Sequence, residues 1–233
     1  MSGRYISEEH TVLGKLTLNK KPLKNTDAQT RSQALIALIK TEGLSLLHWS
    51  DKAQNLRARM QFLHSALGGE WPDVGDQALL EQLDNWLLPA LGTISHLNEL
   101  KNIELADYLI ALLPWPLPNT LNNLAPSTVA IASGRDASID YSQTPPVIAV
   151  KLQEMFGCAA NPEIANGSVK LNIHLLSPNG RPLAMTGDIG FFWANAYTEV
   201  KKEMRGRYPK HPWPDDPINA LATAKTNRAL RNS

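Results

Sequence analysis

The stretch VKLNIHLL-SPNG-RPLAMT, Val169 to Thr186, decides the fold class. Two runs of alternating character flank Ser177-Pro178-Asn179-Gly180, whose proline fixes one backbone angle and whose Asn-Gly pair tolerates left-handed ones. Such a turn predicts two antiparallel strands, Val169 to Leu176 and Pro182 to Thr186. Asp188 then stands where a helix N-cap is wanted, and the spacing predicts a last helix reaching Met204.

Upstream, Val129 to Ala132 and Ser138 to Tyr141 flank Gly134-Arg135-Asp136 and predict a second hairpin. Pro145-Pro146 predicts the opening of a helix through Phe156, with Val147, Val150, Leu152 and Met155 facing a core and Gly157 after its end. The order strand, strand, helix, strand, strand, helix has no regular parallel crossover. It predicts an α+β domain with a mostly antiparallel sheet over residues 126–233.

Residues 25–125 carry a different texture, that of a small helical bundle. From Thr26 the pattern turns helical, and Leu35, Ile36, Leu38 and Ile39 crowd one side of a helix ended by Gly43. Ser50 is the expected N-cap of a second helix, with Leu56, Met60, Leu63 and Leu67 on one face. Asp76 opens a third, burying Leu79, Leu83, Trp86 and Leu87. Shorter helices are expected over Leu97 to Lys101 and Leu105 to Leu113, with Pro114, Pro116 and Pro118 forcing an extended exit. Residues 1–24 hold one strand segment, ending in Val12 to Leu18, that needs a partner from later strands or from residues upstream of Met1.

Bulk composition narrows the function classes. The 233 residues are 43% hydrophobic and 19% charged, with a formal net charge of +1, so no whole-protein field attracts a polyanion. Any attraction for a polyanion must come from a local cluster of charge. The single cysteine, Cys158, excludes an intramolecular disulfide and suits a reducing compartment. Its place just past a predicted helix end suggests a buried, unreactive thiol. The N-terminus has no signal-peptide pattern, and no apolar run approaches the roughly 20 residues that span a bilayer. A cytoplasmic protein with no membrane partner is expected.

Candidate chemistry is sparse. Leu13-Gly14-Lys15-Leu16 lacks the first glycine and the Ser/Thr of a phosphate loop and reads as strand. His10, His48, His64, His96, His174 and His211 are scattered without metal-ligand spacing, so no metal site is expected. His174 reads as a solvent-side or hydrogen-bonded strand residue. Arg57 and Arg59 form a minor basic feature that reads as a solvated helix face. No serine occupies a nucleophile elbow, and no acid–base constellation is legible, which leaves a self-contained enzyme as the least supported class.

One segment concentrates charge, aromatics and prolines. From Lys201 to His211 there are five cations and one acid, Glu203, for a local charge of +4 with histidine neutral. Lys201, Lys202, Arg205, Arg207 and Lys210, with His211 and Arg181, are candidate phosphate contacts, because clustered cations displace condensed counterions from nucleic acid. Tyr208 and Trp213 are candidate platforms on which unpaired bases stack. Pro209, Pro212 and Pro214 pre-order the run. The same features suit a strap that lays Tyr208 and Trp213 into its own domain and pairs Arg205 and Arg207 with carboxylates such as Asp215 and Asp216.

The residues also resemble a known family. Ser177-Pro178-Asn179-Gly180-Arg181-Pro182, then Thr186-Gly187-Asp188, Phe192-Trp193 and the block RGRYPKHPWP (205–214) with Asp216-Pro217 are similar to the C-terminal region of the bacterial HrpB family of DExH-box ATP-dependent helicases. Ile139-Asp140-Tyr141 and Pro146 to Gly157 fit that pattern, as do Trp71-Pro72-Asp73, Trp86 to Pro89 and Leu112 to Trp115. Gly187 departs from it where a larger polar residue is expected, implying a looser start to the last helix.

The resemblance implies an accessory module of a helicase that contacts nucleic acid or braces the motor domains, with RNA as the expected substrate. ATP and magnesium would bind the motor domains, whose motifs are absent here, so no cofactor is expected in this chain. The expected partners are RNA or single-stranded nucleic acid and the motor domains of the same parent protein. A purely structural or protein-interaction module is the alternative.

Overall fold

A computed structural model of the chain describes residues 8–13, 15–22 and 27–231. Gly14 of the Leu13–Leu16 stretch, Thr26 at the expected onset of helix, and residues 1–7 lie outside the described residues. The chain divides into two compact units. One holds the residues up to His64 with Gly69–Pro118, the other Ser65–Gly68 with the residues from Asn119 on.

In the first unit β1 (Glu8–Leu13) pairs antiparallel with β2 (Leu16–Pro22). The strand expected over Val12 to Leu18 is thus two arms of one local hairpin, whose pairing comes neither from later strands nor from upstream of Met1. α1 (Ala28–Glu42) opens on Asp27, whose carboxylate accepts the Thr30 N–H at 2.6 Å, and closes on Gly43 at φ 88°. α2 (Asp51–Leu67) opens on Ser50, whose Oγ accepts the Ala53 N–H at 3.2 Å. These caps satisfy backbone donors that a helix start leaves open.

The third helix breaks into α3 (Asp76–Glu81), α4 (Leu83–Trp86) and α5 (Leu88–Leu91). Pro89 has no N–H to continue the ladder, so the chain restarts there with proline in the first turn. Trp86 keeps the pieces together by donating its indole N–H to the Leu79 carbonyl at 3.0 Å. α6 (Leu105–Ile110) stops short of Leu113. α7 (Leu117–Leu124) forms where an extended exit was expected, because Pro118 falls in its first turn, where no intrahelical N–H bond is lost.

Arg57 and Arg59 are not a solvated face. Arg57 donates to the Val74 carbonyl at 2.7 Å and to Asp76 at 2.6 Å, with its guanidinium 4.8 Å from the Trp49 ring centroid. Arg59 is buried. The Arg57 head is thus spent on packing α2 against its surroundings, which helix position alone does not reveal.

The second unit is α+β, as expected. β3 (Thr128–Ala130), β4 (Asp136–Asp140), β5 (Val147–Lys151), β6 (Glu163–Ile164), β7 (Val169–Lys170), β8 (Asn172–Leu176) and β9 (Pro182–Thr186) follow in sequence. The main sheet has the order β3-β4-β5-β8-β9, with only β5 and β8 parallel. β6 and β7 form a separate ribbon.

The helix expected from Pro146 to Phe156 is overturned. Val147 to Lys151 is the central strand, and Leu152 to Met155 a short 3-10 turn. Val147-Ile148-Ala149-Val150 is rich in β-branched residues, and a strand flanked on both edges gains more from ladder bonds than a five-residue helix could.

The strand Val169 to Leu176 also divides, at Leu171. Its N–H bonds the Pro162 carbonyl at 2.9 Å, and its carbonyl accepts the Asn161 amide at 2.7 Å. Buried Asn161 meanwhile accepts the Ile189 N–H at 2.7 Å.

The last helix is two, α8 (Ile189–Asn195) and α9 (Tyr197–Arg207), joined at Ala196. The looseness expected from Gly187 is absent. Asp188 accepts the Phe191 N–H at 2.9 Å, and its own N–H reaches Thr186 Oγ1 at 3.0 Å. A short α10 (Asn227–Arg231) closes the described chain.

One sheet face buries Ala137, Ile139, Ile148, Val150, Ile173 and Leu175, while Ser138 and Ala149 are exposed on the other beside half-buried His174. Phe156, Phe192, Trp193 and Tyr197 form a cluster of edge-to-face and tilted ring pairs whose contacting centroids lie 5.2–6.2 Å apart. Glu154, buried within the 3-10 turn, takes two parallel bonds from Arg135 at 2.8 and 3.0 Å and the Lys151 N–H at 3.0 Å.

Candidate nucleic-acid interface

α9 positions the cationic segment. Tyr197 and Met204 face inward, so at about 100° per residue Lys201, Lys202 and Arg205 fall together on one side, with Glu203 and Arg207 on another. The helix ends at Tyr208, whose N–H bonds the Met204 carbonyl at 2.7 Å. The Tyr208 carbonyl then accepts both the His211 N–H at 3.1 Å and the Trp213 indole N–H at 3.0 Å. That double acceptance turns the chain and fixes the Trp213 ring.

Further bonds lay the segment on its own unit. Tyr197 Oη donates to the Pro214 carbonyl at 2.9 Å. Burial, with Asp215 nearby, pushes the Tyr197 phenol up, so it stays a donor across the ordinary pH range. The Gly157 N–H reaches Pro217, and the Thr223 N–H reaches Gln153, both at 2.9 Å. Asn227 closes the loop, its N–H on the Lys210 carbonyl at 2.8 Å and its amide on that of His211 at 3.3 Å.

The +4 count along the sequence does not survive folding intact. Lys201 pairs with Asp215, and Arg207 pairs with Glu203 at 3.0 Å. The Lys201 ammonium holds the exposed Asp215 carboxyl below its usual range. Asp216 is taken by Asn219, so neither expected arginine–aspartate pair forms. Lys202, Arg205 and Lys210 are exposed and make no ion pair among the described residues. Burial, then the Lys151 charge, pushes His211 below the ordinary histidine value, so it is neutral at pH 7.

An open groove of about 900 Å³ runs through this region. It gathers Arg205, His211 and Trp213 from the expected set, and adds Phe156, Asn227 and Leu230. Lys201, Lys202, Arg207, Tyr208 and Lys210 surround the strap without lining the groove. Arg181 does not line it either. It sits in the β8–β9 turn, at the sheet end where Leu176 pairs with Lys151. Tyr208 and Trp213 are both half-buried, anchored yet reachable.

Elsewhere the chemistry is quiet. Burial pushes the Cys158 thiol up, away from the thiolate. Among the described residues no group of three or more His, Cys, Asp or Glu side chains is placed to hold a metal ion, and no helix is long and apolar enough to cross a membrane.

Comparison with known proteins matches residues 86–217 to the family HrpB_C, described as ATP-dependent helicase C-terminal. The ATP-dependent RNA helicase HrpB of Escherichia coli K12 is 41% identical over 218 residues, covering 93% of this chain and 27% of that protein. A crystal structure of the E. coli DExH-box NTPase HrpB superposes with a TM-score of 0.80 at 40% identity, covering 94% of this chain and 27% of that one. A second, of the E. coli DEAH/RHA helicase HrpB, gives 0.70 at 39% identity, covering 88% of this chain and 26% of that one. The chain thus spans about a quarter of the length of these relatives.

Proposed function

The chain belongs to the HrpB C-terminal family of ATP-dependent helicases, and from that premise we propose that it serves as an accessory module whose α9 groove contacts single-stranded nucleic acid beside the motor. In this reading ATP and magnesium are the business of the motor domains, and no residue of this chain is catalytic. RNA is the favoured strand, since the E. coli relative is named an RNA helicase.

The observation that carries the reading is the coincidence of exposed, unpaired Arg205 with half-buried Trp213 in one groove. A guanidinium neutralises phosphate while an indole face holds a neighbouring base, a combination suited to single strands. Lys202 and Lys210 extend the cationic track on the α9 side, His211 belongs to the groove itself, Lys201, Arg207 and Tyr208 border the strap, and Arg181 belongs to the β8–β9 turn. Anisotropy of a labelled single-stranded RNA tests this. Binding should weaken with salt, and replacing Lys202, Arg205 and Lys210 with alanine should lower the log–log salt slope by about 2, at roughly 0.7 per phosphate contact on a single strand. A salt-independent affinity, or a slope unmoved by the triple replacement, overturns it.

A second reading, bracing of the motor domains, is favoured by Met185 and Phe191, 76% and 66% exposed in the sheet-bearing unit. It predicts that Phe191→Glu releases the module from separately expressed motor domains in a pull-down while leaving RNA affinity unchanged. Retained capture refutes it.

A further inference from the structure

The groove has a second wall that the α9 cations do not supply. After Asp216 the chain carries Lys225, Arg228 and Arg231 and no acid, so the three charged side chains of residues 217–233 are all basic. This tail folds back instead of leading away. Thr223 is pinned to Gln153, and Asn227 is pinned through backbone and side chain to Lys210 and His211. The pins bring α10 to the groove, where the uncharged Asn227 and Leu230 line it together with Arg205 and Asp215. At about 100° per residue, Arg231 falls about 40° round from Asn227 and Arg228 about 100°, so Arg231 flanks the lining face and Arg228 must reach back to it along its long side chain. Both arginines are exposed and make no ion pair among the described residues.

We propose that α10 is the second jaw of a single-strand clamp, with Arg228 and Arg231 on phosphates across the groove from Arg205. Leu230 and Trp213 present apolar surface to the bases between the jaws. This inference rests on the groove reading above and adds its missing side. The occupant is a single-stranded polynucleotide, because a base can meet the Trp213 ring only when it is unpaired and unstacked. A duplex offers phosphates to the arginines but no base face to the indole. The arginines sit on a five-residue helix held by a few backbone bonds, so the jaw can open and close without disturbing the sheet.

The test is anisotropy of the full chain with labelled single-stranded RNA, single-stranded DNA and an RNA duplex, each across 50–200 mM salt, an interval over which about 0.7 of slope per phosphate is resolved. Arg228→Ala with Arg231→Ala should lower the single-strand slope by about 1.4, which shrinks the salt-induced weakening over that fourfold interval roughly sevenfold. Leu230→Ser, touching no charge, should weaken binding at unchanged slope. Circular dichroism confirms that each variant is folded. RNA bound more tightly than DNA assigns the clamp to RNA, and equal binding assigns it to the shared phosphodiester chain; either supports the jaw. A double variant with wild-type slope, while Arg205→Ala lowers the slope, overturns the jaw and leaves the groove reading standing. Indifference of binding to Arg205→Ala as well overturns both, as does duplex binding as tight as single-strand binding.

Discussion

Replacing Tyr197 with phenylalanine removes one oxygen and separates the strap from the core it lies on. Tyr197 is 2% exposed, and its ring packs edge-on against Phe156 at 6.2 Å and Trp193 at 5.3 Å. Phenylalanine keeps those contacts, so only the 2.9 Å bond to the Pro214 carbonyl is lost. A neutral hydrogen bond contributes about 0.5–1.5 kcal/mol, and Pro214 is partly open to water, which can replace the donor. The expected cost is therefore about 1 kcal/mol, a fall in Tm of about 3–6 °C for a unit of this size. Tyr197→Ala should cost about 3–5 kcal/mol, because it also empties the aromatic cluster. Differential scanning calorimetry of the three proteins separates these steps. In the same proteins RNA affinity should fall for Tyr197→Phe with the salt slope intact, since Pro214 and hence Trp213 are loosened while no cation changes. A Tyr197→Phe protein melting within about 1 °C of wild type, or as low as Tyr197→Ala, refutes the reasoning.

Three further outcomes follow from the same geometry. Glu154→Gln should destabilise the sheet-bearing unit by about 2–3 kcal/mol in urea melts, the low end for a buried pair because Arg135 is half exposed. Burial raises the Glu154 carboxyl, but Arg135, the Lys151 N–H and nearby charge together hold it below its ordinary value. The folded pKa is thus the depressed one, so its stabilisation is full above the unfolded value of about 4.3 and fades as pH falls through the folded value. The variant should lose stability less steeply over that acid window. Gly190→Ala should cost about 1–3 kcal/mol in the same melts, since its methyl carbon would sit 2.8 Å from the Ala159 carbonyl oxygen; an unchanged midpoint contradicts the packing of α8. Asp215→Asn frees Lys201 and removes an anion from the groove, so RNA should bind more tightly with a salt slope steeper by about 0.7.

The hairpin that decides the fold class was legible because its turn chemistry is local, and α1 and α2 because their caps lie within a few residues of their apolar faces. β5 was not, since Val147 to Val150 is too short for its period to distinguish strand from helix, and the partner that makes it a strand, β8, lies more than twenty residues further on. Tyr208 and Trp213, with Arg205, stand out in sequence because cations, aromatics and prolines coincide there. Which cations are spent could not be read, because Asp215 reaches back fourteen residues to Lys201 while Arg205 stays open. Asn227 and Leu230 carry no sequence signal at all. They join the groove only because backbone bonds to Lys210 and Gln153 fold the tail back.

The most direct test of the central claim is ultraviolet cross-linking of the chain to a photoreactive single-stranded RNA, with the attached residue read by mass spectrometry. Adducts are expected at Trp213 or Tyr208, suppressed by high salt and by Arg205→Ala. Trp115, 79% exposed and far more accessible to chance contact, is the internal control. Adducts at Trp115 with none at Trp213 or Tyr208 would contradict the account.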